Sequence, residues 1–240
     1  MDAMILAAGL GTRLRPLTIH TPKALIEVGG KPMLEHVARR LIAAGATRLI
    51  VNIHHHADQV RDFVEMQQGF GVEVEISEEP ERPLETGGGL LQAKPLFSYD
   101  APFYMHNADI FTDLDLRSLY QHHRGSDALA TLAVRAPETE RYLLFDADNL
   151  CGYAYQGEER LVRDPIGNLR RLDFCGVQVL SPRIFELMTE TGIFSIINVY
   201  LRLVNAGEQI APFHVGEATW IDVGNLERLE EARQWVTMTG

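Results

Sequence analysis

The chain opens on an apolar run, "AMILAAG" at positions 3–9, with no polar residue to turn toward solvent. Such a run predicts a strand covered on both faces, as in parallel sheets. In "PMLEHVARRLIAAG" (32–45), Met33, Leu34, Val37, Leu41 and Ile42 share one helical face, and Gly45 supplies a C-terminal stop. The same alternation continues. Strands are predicted at 48–55, 72–77, 102–110 and 128–135, and helices at 57–68, 87–97 and 116–123. Strand followed by helix, repeated, predicts an α/β fold with a mostly parallel, Rossmann-like sheet flanked by helices. A ligand of such a sheet binds at the carboxyl ends of the strands.

The rhythm changes after about Pro137. "YLLFDADNLCGYAYQ" (142–156) reads as a hairpin turning near Asp148-Asn149, and 169–182 as a strand that stops at Pro182. Segments 182–190 and 195–207 read as helices, the leucines of the second belonging to the core. Two short strands (209–215, 218–224) precede a terminal helix at 225–236 with Asn225 as its N-cap. The 240 residues are therefore expected to form one domain, with a larger half over about 1–136 and a smaller half over 137–240 laid on the sheet.

Composition narrows the function. Hydrophobic residues make up 46% and charged residues 23%, as in ordinary soluble domains. A net charge of -11 argues against broad binding to nucleic acid or acidic membranes, yet leaves room for one basic pocket. Cys151 and Cys175 form no CxxC pair, which disfavours a zinc site or disulfide framework and suits a reducing cytoplasm. No basic leader with an apolar core opens the chain, and no run reaches membrane-spanning length.

That basic pocket is expected in "LAAGLGTRLRPLTIHTPKAL" (6–25). Gly9 and Gly11 bare the backbone amides, Arg13 adds a planar two-pronged donor, and Lys23 adds a point charge. Taken singly, each is as readily a solvated loop residue. Together, straight after the first strand, they read as a triphosphate cradle. The loop is neither a Walker loop nor a dinucleotide fingerprint, since GxxxxGK[ST] is absent and "GLGTRL" lacks the third glycine. Pro16 and Pro22 disfavour a helix directly after it. Asp109 and Asp222 each close an apolar run. Hard carboxylate oxygens suit magnesium, although an aspartate at a strand end commonly just forms a turn. His54, His55 and His56 read as a polar strand end rather than a metal site, since neighbours on a strand face opposite ways. His122 and His123 read as an exposed helix end.

The 6–25 stretch closely resembles the GxGTRLxPLTxxxPKxL pattern of the sugar-1-phosphate nucleotidylyltransferases, and "ETGGGLLQA", "HNADI" and "WIDVGNLERLEEA" extend the resemblance over most of the chain. The resemblance implies the nucleotide-diphospho-sugar transferase fold and transfer of a nucleotidyl group from an NTP to a sugar 1-phosphate. It implies a nucleotide site at Leu6, Ala7, Ala8, Gly9, Gly11, Thr12, Arg13, Lys23, Gly87, Gly88 and Asn107, and a sugar site at Glu85, Asn107 and Gly176. It further implies Mg2+ on Asp109 and Asp222, with Arg13, Lys23 and Asp109 carrying the chemistry.

Two departures stand out. Ala108 replaces a usual glycine, and Asp164 stands where many relatives carry the lysine of an E-K-P motif, leaving the metal and a basic residue such as Arg141 or Arg171 to hold the sugar phosphate. "ETGGG" and the short chain are most like the bacterial N-acetylmuramate 1-phosphate uridylyltransferases of cell-wall recycling. Mannose- or heptose-1-phosphate guanylyltransferases are the nearest alternative, and a phosphocholine cytidylyltransferase is a third. A non-catalytic regulatory paralogue has no need of both cations and both aspartates. A glycosyltransferase would rely on a DxD pair such as Asp113–Asp115, and has no use for the long cationic loop. The expected partners are small molecules, not nucleic acid or membrane, and the expected state is a cytoplasmic monomer or weak homodimer.

Overall fold

A computed structural model describes residues 1–79, 81–138 and 140–239. The first half builds β1 (Asp2–Leu6), the two-residue hairpin β2 (Glu27–Val28) and β3 (Lys31–Pro32), α1 (Met33–Ala43), β4 (Arg48–Ile53), α2 (Ala57–Met66), β5 (Glu73–Glu78), α3 (Glu85–Ala93), β6 (Phe103–Asn107), β7 (Ile110–Thr112), α4 (Leu116–Arg124) and β8 (Ala130–Arg135). The second half adds β9 (Leu143–Asp146), β10 (Asn149–Tyr155), β11 (Glu158–Leu161), β12 (Leu169–Leu180), the single turn α5 (Ile184–Leu187), α6 (Ile196–Asn205), β13 (Ile210–His214), β14 (Trp220–Asp222) and α7 (Leu226–Thr239).

Among the described residues ten strands form one sheet, ordered β11-β10-β9-β12-β6-β1-β4-β5, with β8 also on β12 and β13 on β8. The run β6-β1-β4-β5 is wholly parallel, as the strand–helix alternation predicts. The apolar run at 3–9 is explained by burial on both faces. Ala3, Ile5 and Ala7 enter a core shared with α1, α2 and α4, whereas Met4 enters the opposite core under α3 and α6. β8 runs parallel to β13 but antiparallel to β12.

Several elements differ from expectation. The strand expected over 102–110 is broken at Ala108-Asp109, and its last part becomes β7, which pairs antiparallel with β14 in a separate ribbon. The helix expected over 182–190 is one turn. The hairpin gains a third strand, β11, through a tight turn with Gln156 at φ 53° and Gly157 at φ 79°, the left-handed pair that two-residue hairpin loops require. His123 is no exposed helix end: it is buried, with Nδ1 2.9 Å from Thr131 Oγ1. Asn225 does cap α7, its Oδ1 accepting from Arg228 N at 2.9 Å. Among the described residues no helix is long and apolar enough to cross a membrane.

Candidate active site

The parallel strands end together, and their ends line a cleft of two joined chambers. The smaller, about 190 Å³, is bounded by Leu6 ending β1 with Ala8 and Gly9 beyond it, Asn52 in β4, Glu79 after β5, Glu85 and Thr86 opening α3, Asn107 ending β6 and Asp109 just past it. The larger, about 590 Å³, shares Asn107 and Asp109 and extends over Arg141, Tyr153, Asp173, Gly176, Asn198, Trp220 and Asp222. Asp109 is thus the hinge point between them. The smaller chamber lies where a parallel sheet opens toward its ligand, and the larger extends from it over the antiparallel β9, β10 and β12.

The break after β6 is what brings the two aspartates together. Because β7 turns away to pair with β14, Asp222 lies opposite Ile110, and Val223 N donates to Asp109 O at 2.9 Å. The unusual Ala108 is accommodated: its methyl group is in the core and its N–H donates to Leu6 O at 3.0 Å. Asp222 Oδ1 is buried and accepts no hydrogen bond. Burial and the neighbouring Asp109 push the Asp222 carboxyl above its ordinary range, against the pull of Lys23, Arg13 and Arg228.

The loop over 9–25 forms no α-helix but three single 3-10 turns, Thr12–Leu14, Leu17–Ile19 and Lys23–Leu25. Gly11, at φ 61°, permits the path; a methyl there would lie 2.8 Å from Thr18 Cγ2 and 3.0 Å from Lys23 Cβ. Lys23 Nζ forms an ion pair with Asp109 Oδ2. The Arg13 guanidinium lies beside Asp222, both groups packed against the bare α-carbon of Gly224. The start of α2 braces this loop: His56 Nε2 lies 3.0 Å from Ile19 O, and Gln59 Nε2 donates to His20 O at 2.8 Å. His54 reaches instead to Glu79 O.

The remaining expected positions divide. Leu6, Ala8 and Gly9 line the smaller chamber, while Ala7 is buried behind it and donates its N–H to Asn52 O at 2.8 Å. Thr12 is exposed on the loop. Gly87 and Gly88 do not line either chamber. Their N–H groups donate to Phe194 O at 2.9 and 3.1 Å, and their α-carbons pack on Phe194 and Gly192. The glycine run is therefore a docking face for the 192–194 segment. Glu85 lies in the smaller chamber rather than the larger one, with a strained φ of 60°. Gly176, at φ 72°, lines the larger chamber, and the space of a side chain there is taken by the Asn107 amide, 2.8 Å away.

Of the two arginines suggested for a sugar phosphate, Arg141 lines the larger chamber. Arg171 pairs with Glu159 at 2.7 Å and lines neither chamber, and Asp164 is likewise outside both. The DxD acids are structural: Asp115 caps α4, and Asp113 Oδ1 accepts Thr219 N at 2.7 Å.

Sequence reasoning missed Asn52 and Glu79. Glu79 is a carboxylate only 1% exposed, held by Asn52 Nδ2 at 2.8 Å and Leu84 N at 2.7 Å on the wall of the smaller chamber. A polar residue inside the apolar "LIVNI" was the available signal for Asn52.

The donor set fits a hard divalent cation. Two carboxylates converge, one with a buried unpartnered oxygen, and magnesium keeps several waters and phosphate oxygens among its ligands. Among the described residues no group of three or more histidine, cysteine or acidic side chains could enclose a metal by itself.

The chain belongs to the family described as nucleotidyl transferase, which it matches over residues 2–159. Within that family it belongs with the sugar-1-phosphate nucleotidyltransferases. It is 32% identical over 240 residues to an N-acetylmuramate alpha-1-phosphate uridylyltransferase of Neisseria meningitidis serogroup B, covering 97% of both chains. It is 34% identical over 235 residues to the protein of the same name from Caulobacter vibrioides, covering 93% of this chain and 91% of the relative. Its fold is that of the inositol-1-phosphate CTP transferase from T. maritima, with a TM-score of 0.78 at 17% identity over 98% and 96% of the two chains.

Proposed function

We propose that this protein joins UTP and N-acetylmuramate 1-phosphate to give the UDP-sugar and pyrophosphate, in the cytoplasm, with Mg2+ as its cofactor. The observation that carries this reading is the pair of chambers meeting at Asp109, with Asp222, Lys23 and Arg13 gathered at that point. In it the smaller chamber takes the nucleoside, between Leu6, Gly9, Asn52, Glu79 and Glu85, and the larger takes the sugar, over Gly176, Asn198 and Trp220. The names of the full-length relatives support the choice of base and sugar. Arg141, on the wall of the larger chamber, offers a cation for the acidic lactyl ether that distinguishes muramate from other hexosamines.

A phosphate oxygen of the sugar 1-phosphate attacks the α-phosphorus in line, a new P–O bond forms, and the bond to the β-phosphate oxygen breaks. Arg13 and Lys23 gather the oxygens of the leaving pyrophosphate and spread its charge. Asn107, at the junction of the chambers, orients both substrates. Magnesium held by Asp109 and Asp222 would neutralise charge on the reacting phosphates. No side chain need form a covalent bond; catalysis is positioning and charge neutralisation.

The test is pyrophosphate release across a grid of UTP, GTP, CTP and dTTP against N-acetylmuramate, N-acetylglucosamine, glucose, mannose and heptose 1-phosphates. Release is expected with UTP and N-acetylmuramate 1-phosphate, and is expected to vanish in Asp109→Asn. Preferred turnover of GTP with mannose or heptose 1-phosphate would overturn the substrate reading and leave the chemistry standing.

A further inference from the structure

Two cations of the loop lie at the carboxylates that the proposed reaction assigns to metal, one in an ion pair and one alongside. Lys23, with a side chain only 11% exposed, is ion-paired to Asp109, and Arg13 lies beside Asp222 against Gly224. Two positive and two negative charges therefore close on one another. Yet the pairing is incomplete, because Asp222 Oδ1 accepts no hydrogen bond from Arg13 or from any other group. The same four side chains have a second possible arrangement, in which the cations hold phosphate oxygens and the carboxylates hold a metal. Lys23 has the means to change partner: its ammonium is a point charge on a flexible four-carbon stem, seated after the left-handed turn at Gly11.

We propose that Lys23 and Arg13 are exchangeable counter-ions that mask Asp109 and Asp222 from a metal ion arriving alone, and that the triphosphate unmasks them by drawing both cations onto its own oxygens. This rests on the assignment of metal and triphosphate to this site made above. Its consequence is thermodynamic. Anything that pulls the cations off the carboxylates strengthens metal binding, and by linkage metal binding strengthens the hold on nucleotide by the same factor. The loop thus makes the metal a ligand of the nucleotide complex rather than of the free protein. A metal ion that settled first would leave Lys23 a half-buried charge without its partner, a costly arrangement.

Mn2+ alone, without nucleotide, is the probe, titrated by electron paramagnetic resonance into wild type, Lys23→Met, Lys23→Arg, Arg13→Met, Asp109→Asn and Asp222→Asn. Lys23→Met is expected to bind Mn2+ about tenfold more tightly than wild type, or better, since one partly buried competing charge is gone. Lys23→Arg, which keeps the charge, is expected to bind as weakly as wild type. Arg13 is exposed and its replacement cannot unsettle the core, so Arg13→Met carries the test if Lys23→Met fails to fold by thermal melting; it is expected to tighten Mn2+ binding in the same direction. If Mn2+ binding depends on Asp109 and Asp222 but neither cation variant tightens it, the masking proposal is overturned and the metal site stands. If the two aspartate variants leave Mn2+ binding unchanged, the metal-site reading itself is overturned, and the masking with it.

Discussion

Gly224 has no side chain, and two functional groups occupy the space it leaves. A methyl group there would lie 2.8 Å from Arg13 Nη2 and 3.0 Å from Asp222 Oδ1. Gly224→Ala should therefore displace both groups while leaving the core untouched. A drop in kcat/KM of about 100-fold is expected, the scale of an ångström's misplacement in a catalytic site, with a melting temperature close to wild type. Activity within a few-fold of wild type would show that neither group needs its observed position. Arg13, Lys23, Asp109 and Asp222 were legible in the sequence because each lies in a contiguous motif. Glu79 and Asn52 were not, because their roles arise only when the ends of β4 and β5 come side by side and one satisfies the other. Gly87 and Gly88 misled for the opposite reason. Bare amides at a helix start suit an anion, but here Phe194 O, a protein acceptor more than a hundred residues away, has taken them.

At the scale of elements, the docking of α3 on the 192–196 segment ties the two chambers together. Phe194 N donates to Leu84 O at 3.2 Å and Ile196 N to Thr86 Oγ1 at 2.9 Å, so the helix that walls the smaller chamber also fixes the start of α6, whose N-cap Ser195 and whose Asn198 wall the larger. The contact has no slack: a methyl on Gly88 would lie 2.6 Å from Gly192 O and 2.9 Å from Leu84 Cβ. Gly88→Ala should cost about 1–3 kcal/mol in stability, the range for overpacking a close contact, and should raise KM for the sugar 1-phosphate. Chemical denaturation and initial rates would check the two effects; unchanged stability would mean that the 192–194 backbone yields freely. Most elements were legible, because periods of 2 and 3.6 survive in the sequence wherever one face is buried. The break between β6 and β7 was not. Its "NADI" keeps the alternation of a single strand, and only pairing with β14, more than a hundred residues on, turns the chain at Asp109.

At the scale of the whole molecule, β12 joins the parallel sheet to the β9–β11 ribbon. It pairs with β6 and β8 through its second half and with β9 through its first, so the cleft and the ribbon share a strand. Two buried histidines lie on the α1 and α4 side of the sheet, His123 of α4 beside Thr131 of β8 and His106 of β6 facing α1, each pushed down to about 4 by burial. Around His106, Arg40 opposes its protonation further, while Asp109 and the Asn107 carbonyl favour it; His122 opposes that of His123. Both rings are neutral in the fold and free to protonate near pH 6.5 once unfolded. Between those two values the unfolded chain binds more protons than the fold, so stability is full above about pH 6.5 and is lost as the pH falls toward 4. The loss is on the order of 3 kcal/mol per histidine. Asp222 and Asp173, raised by burial, act in the opposite sense at the low end of this window, and the Arg163 pairing of Asp146 is lost only below it. His123→Gln isolates one contribution far from the cleft, since the amide keeps a partner for Thr131 and cannot titrate. Denaturant midpoints from pH 7 to 4 should fall less steeply in this variant than in wild type. Parallel curves would mean that His123 takes up its proton as readily in the fold as out of it.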